Sequence, residues 1–113
     1  MEKDVELLCM ELISNSGAAR SCFIEAIEFA SNGEFCEAEK SMKRGRDAFK
    51  EAHDTHLDIL SNSSNGDSKY QGVLVMHAED QLMSAESFEI IAERFIDVIH
   101  RLKELEQRGG DKG

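Results

Sequence analysis

"SFEIIAERFIDVIHRLKEL", residues 87–105, decides the fold class. Phe88, Ile91, Phe95, Val98, Leu102 and Leu105 recur at steps of three and four, while Glu93, Asp97, His100, Arg101 and Glu104 fall opposite. This is the period of an amphipathic helix, with one apolar line expected to be buried and one solvated face. Leu82, Met83, Ile90, Ile96 and Ile99 spread further round the same helix than one pair of neighbours would cover. A self-association surface is the simplest use for that excess.

Outward from this stretch the chain contains no proline and no tryptophan, and aromatic residues are few. That composition disfavours a sheet and suits long uninterrupted helices. Breaks are expected at "SNGE" (31–34) and "SNSSNGDSK" (61–69), followed by a polar tail, "RGGDKG", from 108 to 113. Helices are therefore expected over about 3–31, 34–61 and 69–107, in a single domain spanning 1–113. In the first, Val5, Leu8, Leu12, Ala19, Phe23, Ala26 and Ala30 form a core face, with Cys9 and Ile27 at its edge. In the second, Phe35, Ala38, Met42, Phe49, Ala52, Ile59 and Leu60 do the same, with His56 inside the stripe and His53 on its margin. Rods of this length joined by short turns make an all-α, antiparallel three-helix bundle.

The formal net charge is −10, from 13 Lys plus Arg against 23 Asp plus Glu. Such a surface repels phosphate backbones and anionic lipid, so neither nucleic acid nor a membrane surface is an expected partner. The amino terminus carries acids and no long apolar run, so neither a secretory signal nor a spanning helix is expected. Three cysteines, odd in number and without CxxC spacing, read as cytosolic thiols rather than a disulfide framework.

Chemistry is expected from "VLVMHAEDQLM", residues 73–83. Continuing the apolar line backwards from Phe88 lands on Ser84, Gln81, Asp80 and His77, so polar groups occupy a line expected to be buried. Buried without partners, an Asp or His costs several kcal/mol or changes protonation state, which calls for water, a metal or partner side chains. One reading is that His77 and Asp80 simply satisfy each other at the end of the bundle. A zinc site would need a third ligand, and "HDTH" (53–56) offers only another pair on a different helix. No glycine elbow or oxyanion loop accompanies any Ser or Cys. The other reading is a histidine that attacks a labile phosphoryl group, with Asp80 and Gln81 as its available neighbours.

Four stretches resemble the enzyme IIA component of the lactose and cellobiose (N,N'-diacetylchitobiose) branch of the bacterial phosphoenolpyruvate-dependent sugar phosphotransferase system. They are "ISNSGAARS" (13–21), "SNGEFCEAEK" (31–40), "EAH" (51–53) and "VMHAEDQLM" (75–83), in the family's order. The resemblance implies a homotrimer of three-helix protomers and a cytoplasmic phosphotransferase component of sugar transport. It implies that His77 accepts a phosphoryl group from phospho-HPr and passes it to a cysteine of the cognate IIB, which serves the IIC membrane permease. It also implies that Asp80 lies at the trimer axis, where three copies share a divalent cation, Mg2+ being the expected one. Gln81, a possible second contact, stands where the family carries another histidine; Glu79 replaces a glutamine, and His56 occupies a Gln position. These departures motivate the alternative of a catalytically weakened scaffold or regulator of the same fold. Arg20 is read as a surface or salt-bridging residue, with phosphate contact as the lesser alternative, and Gly17 as a point of close helix packing; His56 is read as a core histidine, the alternative being a phosphate-stabilising donor that faces His77 across an intersubunit cleft. Met76 and Met83 are read as packing or partner-surface residues.

Overall fold

The computed structural model describes residues 4–62 and 69–111, and among these it contains three helices and no strand. Helix α1 runs Val5–Ser31, α2 Phe35–Asn62 and α3 Lys69–Asp111. Most of the break expected at 61–69, together with residues 1–3 and 112–113, lies outside the described residues.

The joint between α1 and α2 follows directly from "SNGE". Gly33 is the one described residue that combines glycine with a positive φ, 78°. Its N–H donates to the Ala30 carbonyl at 2.9 Å and the Glu34 N–H to that of Phe29 at 2.9 Å, a Schellman closure of α1. The Glu34 carbonyl then accepts the Ala38 N–H at 3.0 Å, so α2 starts at once and doubles back. At the other end of α1, the Asp4 carboxylate caps the helix by accepting from the Glu6 N–H at 3.1 Å.

Helix α1 is the central rod: it packs against both others, whereas α2 and α3 meet along a short stretch. One core cluster gathers Ala19, Phe23, Ala26 and Ala30 of α1 with Ala38 and Met42 of α2 and Ala85 and Ala92 of α3. A second joins Leu8, Cys9 and Leu12 to Ala52, Ile59, Ala78 and Leu82, and Phe49 touches both. Ser16 lies between them on α1, fully buried, its hydroxyl without a partner among the described residues. Charged ties brace the outside. Arg44 and Ser41 hold Glu25 across α1 and α2, at 3.0 and 2.8 Å, and Arg46 reaches Glu89 at 3.0 Å and Glu93 at 2.6 Å across α2 and α3.

Several expectations are corrected. On α3 the solvated face of Glu93, Asp97, His100, Arg101 and Glu104 is exposed as expected, but the expected core line is not buried within the chain: Ile91, Phe95, Val98, Leu102 and Leu105 are exposed, whereas Leu82 is buried and Ile96 and Ile99 pack into the core. The physical reason is size, because Ala78, Ala85 and Ala92, seven residues apart, let α3 approach α1 where larger side chains would hold it off. Only Phe88 of the expected line packs against the core. Leu60 is exposed, one residue past the buried Ile59, as the helical turn dictates. Gly17 faces open space, while a Cβ at Gly45 would overlap the ring of Phe23, so the close α1–α2 approach is made at Gly45. Helix α3 also continues to Asp111 rather than ending at 107; no proline or left-handed residue intervenes in "RGG" to stop it.

Candidate functional site

Because α3 turns its alanines inward, the side chains on the opposite line face out, and His77 and Asp80 are both exposed. They do not bond each other, and neither has a hydrogen bond or ion pair among the described residues. The reading in which the two satisfy one another is therefore not what the chain adopts. The burial expected for this line is likewise corrected, since in the single chain only Gln81 and Ser84 are half-buried.

Those two are half-buried because α1 reaches over them. Arg20 Nη1 donates to Gln81 Oε1 at 3.0 Å and lies 3.3 Å from Ser84 Oγ, bridging residues more than sixty positions apart in sequence. Among the described residues Arg20 has no carboxylate partner, which corrects its reading as a salt-bridging residue. Nothing local in "GAARS" announces this contact; it arises from the alignment of α1 with α3. Counting along the helix, Gln81 and Ser84 lie within about 40° of His77, so all three share one face.

The remaining departures pair with each other. His56 Nε2 lies 2.7 Å from Glu79 Oε2, and with Glu79 as a carboxylate the imidazole is the donor. His56 is neither solvent-facing nor a core residue; it joins α2 to α3 at the margin of the lower core, with 21% of its side chain exposed against 35% for Glu79. Glu79 projects about 160° round the helix from His77, so its charge is spent on His56 rather than on the His77 face. Beneath it, burial first and the Glu79 carboxylate second push the Cys9 thiol up from its ordinary value, which keeps it protonated and inert.

Elsewhere the surface offers little chemistry. A groove of about 430 Å³ between α2 and α3 is lined by Glu39, Met42, Lys43, Arg46, Glu93 and Ile96. It lies some 16 residues along α3 from His77, roughly 24 Å at the helical rise, and so is separate from it. No three His, Cys, Asp or Glu side chains among the described residues gather to hold a metal ion, so the "HDTH" pair finds no further ligand. No described helix is long and apolar enough to cross a membrane. Beside this polar face of α3, Val73, Met76 and Met83 are exposed, which places the two methionines on a surface rather than in packing. The arrangement thus offers an accessible imidazole on a rigid helix, flanked by an amide anchored to a guanidinium, and a separate unpaired carboxylate one turn away.

Comparison with known proteins identifies the family. The model for "PTS system, Lactose/Cellobiose specific IIA subunit" matches residues 7–100. The cellobiose-specific EIIA component of Lactococcus lactis subsp. lactis (strain IL1403) is 33% identical over 99 residues, covering 88% of this chain and 85% of that protein. A lactose-specific EIIA component of Lactococcus lactis subsp. lactis is 33% identical over 107 residues, 95% of each chain. The crystal structure of the cellobiose-specific enzyme IIA from Bacillus anthracis superposes with a TM-score of 0.81 at 35% identity, covering 92% of this chain and 95% of that one. The chain belongs to the lactose/cellobiose-specific IIA family and is a phosphotransferase component of a sugar-transport system.

Proposed function

We propose that the protein is a cytoplasmic phosphocarrier in which His77 takes a phosphoryl group from phospho-HPr and delivers it to a cysteine of the cognate IIB. The observation that carries this reading is the exposed imidazole of His77, without a partner among the described residues, within a stretch resembling the family's active site. In the first step a ring nitrogen lone pair of His77 attacks phosphorus. The new N–P bond forms as the donor's N–P bond breaks, returning its electron pair to the donor imidazole. In the second, the IIB thiolate attacks, an S–P bond forms, and the pair returns to His77. No proton need pass through Asp80 or Gln81. The scaffold alternative was motivated by Gln81 and Glu79; the contact of Glu79 with His56 turns its charge away from the His77 face and so favours the carrier reading.

The sugar is carried by other components. Relatives of nearly equal similarity are named for cellobiose, galactose, lactose and, in Bacillus subtilis, oligo-beta-mannoside, so overall likeness in the IIA does not track the sugar. The substrate class assigned here is a sugar of the lactose/cellobiose type.

Assembly as a homotrimer is supported by the outer line of α3, where Ile91, Phe95, Val98, Leu102 and Leu105 are large, apolar and exposed at three-four spacing, as in a coiled-coil seam. Asp80 lies on that same line. The Asp80 carboxylate, without a partner among the described residues, would supply one ligand per chain to a cation held by three copies, and hard oxygen donors suit Mg2+. When bound, such a cation would offset repulsion between the three carboxylates.

Intact mass after incubation with phosphoenolpyruvate, enzyme I and HPr, under mildly alkaline conditions that preserve phosphohistidine, tests the reading. One added phosphoryl group is expected, absent from a folded His77→Ala variant. No addition to the folded wild-type protein, or labelling that survives in His77→Ala, would sink the carrier assignment.

A further inference from the structure

Gln81 can present either an acceptor oxygen or two N–H donors, and which end faces which neighbour is fixed by chemistry. A guanidinium only donates. The 3.0 Å contact therefore commits Oε1 of Gln81 to Arg20, and Nε2 is left with no acceptor among the described residues. Ser84 holds the same Arg20 nitrogen from the next turn, at 3.3 Å, so the guanidinium is gripped from two neutral sides. Its charge is not cancelled by any carboxylate in the described contacts, although the chain carries a formal charge of −10. Gln81 follows His77 by four residues, about 6 Å along the axis and on the same face, within reach of a group attached to the His77 ring.

We propose that Arg20 is a positioning residue for phosphoryl transfer: it fixes the Gln81 amide with Nε2 as donor, and Gln81 donates to the phosphoryl oxygens on His77. This rests on His77 being the acceptor. Neither residue exchanges a proton, and the bonds made and broken remain those at phosphorus. Where the family carries a second imidazole, this chain has a donor whose strength does not vary with pH, polarised by an adjacent positive charge.

Gln81→Glu separates this role from a merely structural one. The carboxylate keeps the Arg20 contact, now as a charge-assisted pair, but has no N–H and repels the dianion. In quenched-flow transfer from phospho-HPr, kcat is expected to fall at least about tenfold, with KM changed by less than about twofold, since the lost contact is made only to the moving group. The melting temperature is expected to hold or rise. Arg20→Met should also lower kcat, and Arg20→Lys, which can still donate to Oε1, should recover most of that loss.

Wild-type kcat in Gln81→Glu, while the parent protein is labelled on His77, would overturn the proposal and leave Arg20 as a tie between α1 and α3. Should Arg20→Met unfold, Gln81→Glu alone decides. A parent protein that takes no phosphoryl group, or takes it with His77 replaced, instead removes the carrier reading itself, and this inference with it.

Discussion

Two apolar faces run along α3, and they differ in the size of what they carry. The inner face is built on Ala78, Ala85 and Ala92, all at 0% exposure, with Leu82 at 7%. The outer line carries Ile91, Phe95, Val98 and Leu102, exposed between 43% and 54%. Hydrophobicity therefore does not identify the inside of this helix. Small residues set how closely α3 can lie on α1, and the large ones are left on the surface of the single chain. The same contrast places the proposed site, because a helix that buries Ala78, Ala85 and Ala92 leaves His77 and Asp80 exposed.

The sharpest way to break the comparison is to charge one face and overfill the other. Phe95→Asp is expected to leave helicity intact while abolishing self-association at micromolar concentration in sedimentation velocity, a loss of about 2 to 4 kcal/mol at each contact. Trimers that persist would mean that the outer line is not the seam. Ala85→Leu is expected to do the reverse, lowering unfolding stability in urea by about 1 to 3 kcal/mol through overpacking against Phe23 and its neighbours. A variant as stable as the parent would show that α3 does not need to lie so close.

Smaller effects refine the same picture. Asp80→Leu should strengthen the trimer in chelator by about 1 to 2 kcal/mol, because apolar contact replaces three like charges; weakening would remove Asp80 from the axis. On the inner side, Ser16→Ala should be neutral or stabilise by about 1 kcal/mol, since the buried hydroxyl has no partner to lose. A clear loss would reveal a contact for that oxygen. The least effect comes from Cys9. Its folded thiol is held above the ordinary value of 9.0 by burial and then by Glu79, so its contribution is complete below that pH and lost as pH rises through the folded value. Between about pH 7 and about pH 10 the unfolding free energy from urea titration should fall above 9, by no more than about 1.4 kcal/mol per pH unit, and Cys9→Ala should flatten that slope.

Much of this was legible in the amino-acid order. The three helices and the joint at Gly33 follow from periodicity, from the lack of proline and from one glycine needing a positive φ. The stretch around His77 stood out as the candidate site because polar residues interrupt a line that is otherwise apolar. What the sequence hid were relations between helices. Nothing in the spacing of Phe88 to Leu105 says that this line faces out, although alanines at seven-residue intervals were the available sign. Gly17 and Gly45 look alike until Phe23 is placed beside one of them. The pairs His56 with Glu79 and Arg20 with Gln81 join positions 23 and 61 residues apart, and each explains a residue that seemed out of place when taken singly.

The length of α3 has a further consequence. At 43 residues against 27 and 28 it outruns the other two helices, and from Glu104 to Gly109 every described side chain is exposed. Turns with side chains this exposed open more readily than packed ones, so their amide hydrogens are expected to exchange with solvent deuterons faster than those of the core. A neighbouring chain laid over Leu102 and Leu105 would slow that exchange. Exchange in the last turns of α3, read against protein concentration, would therefore report subunit occupancy in the proposed trimer without touching the histidine at the other end of the same rod.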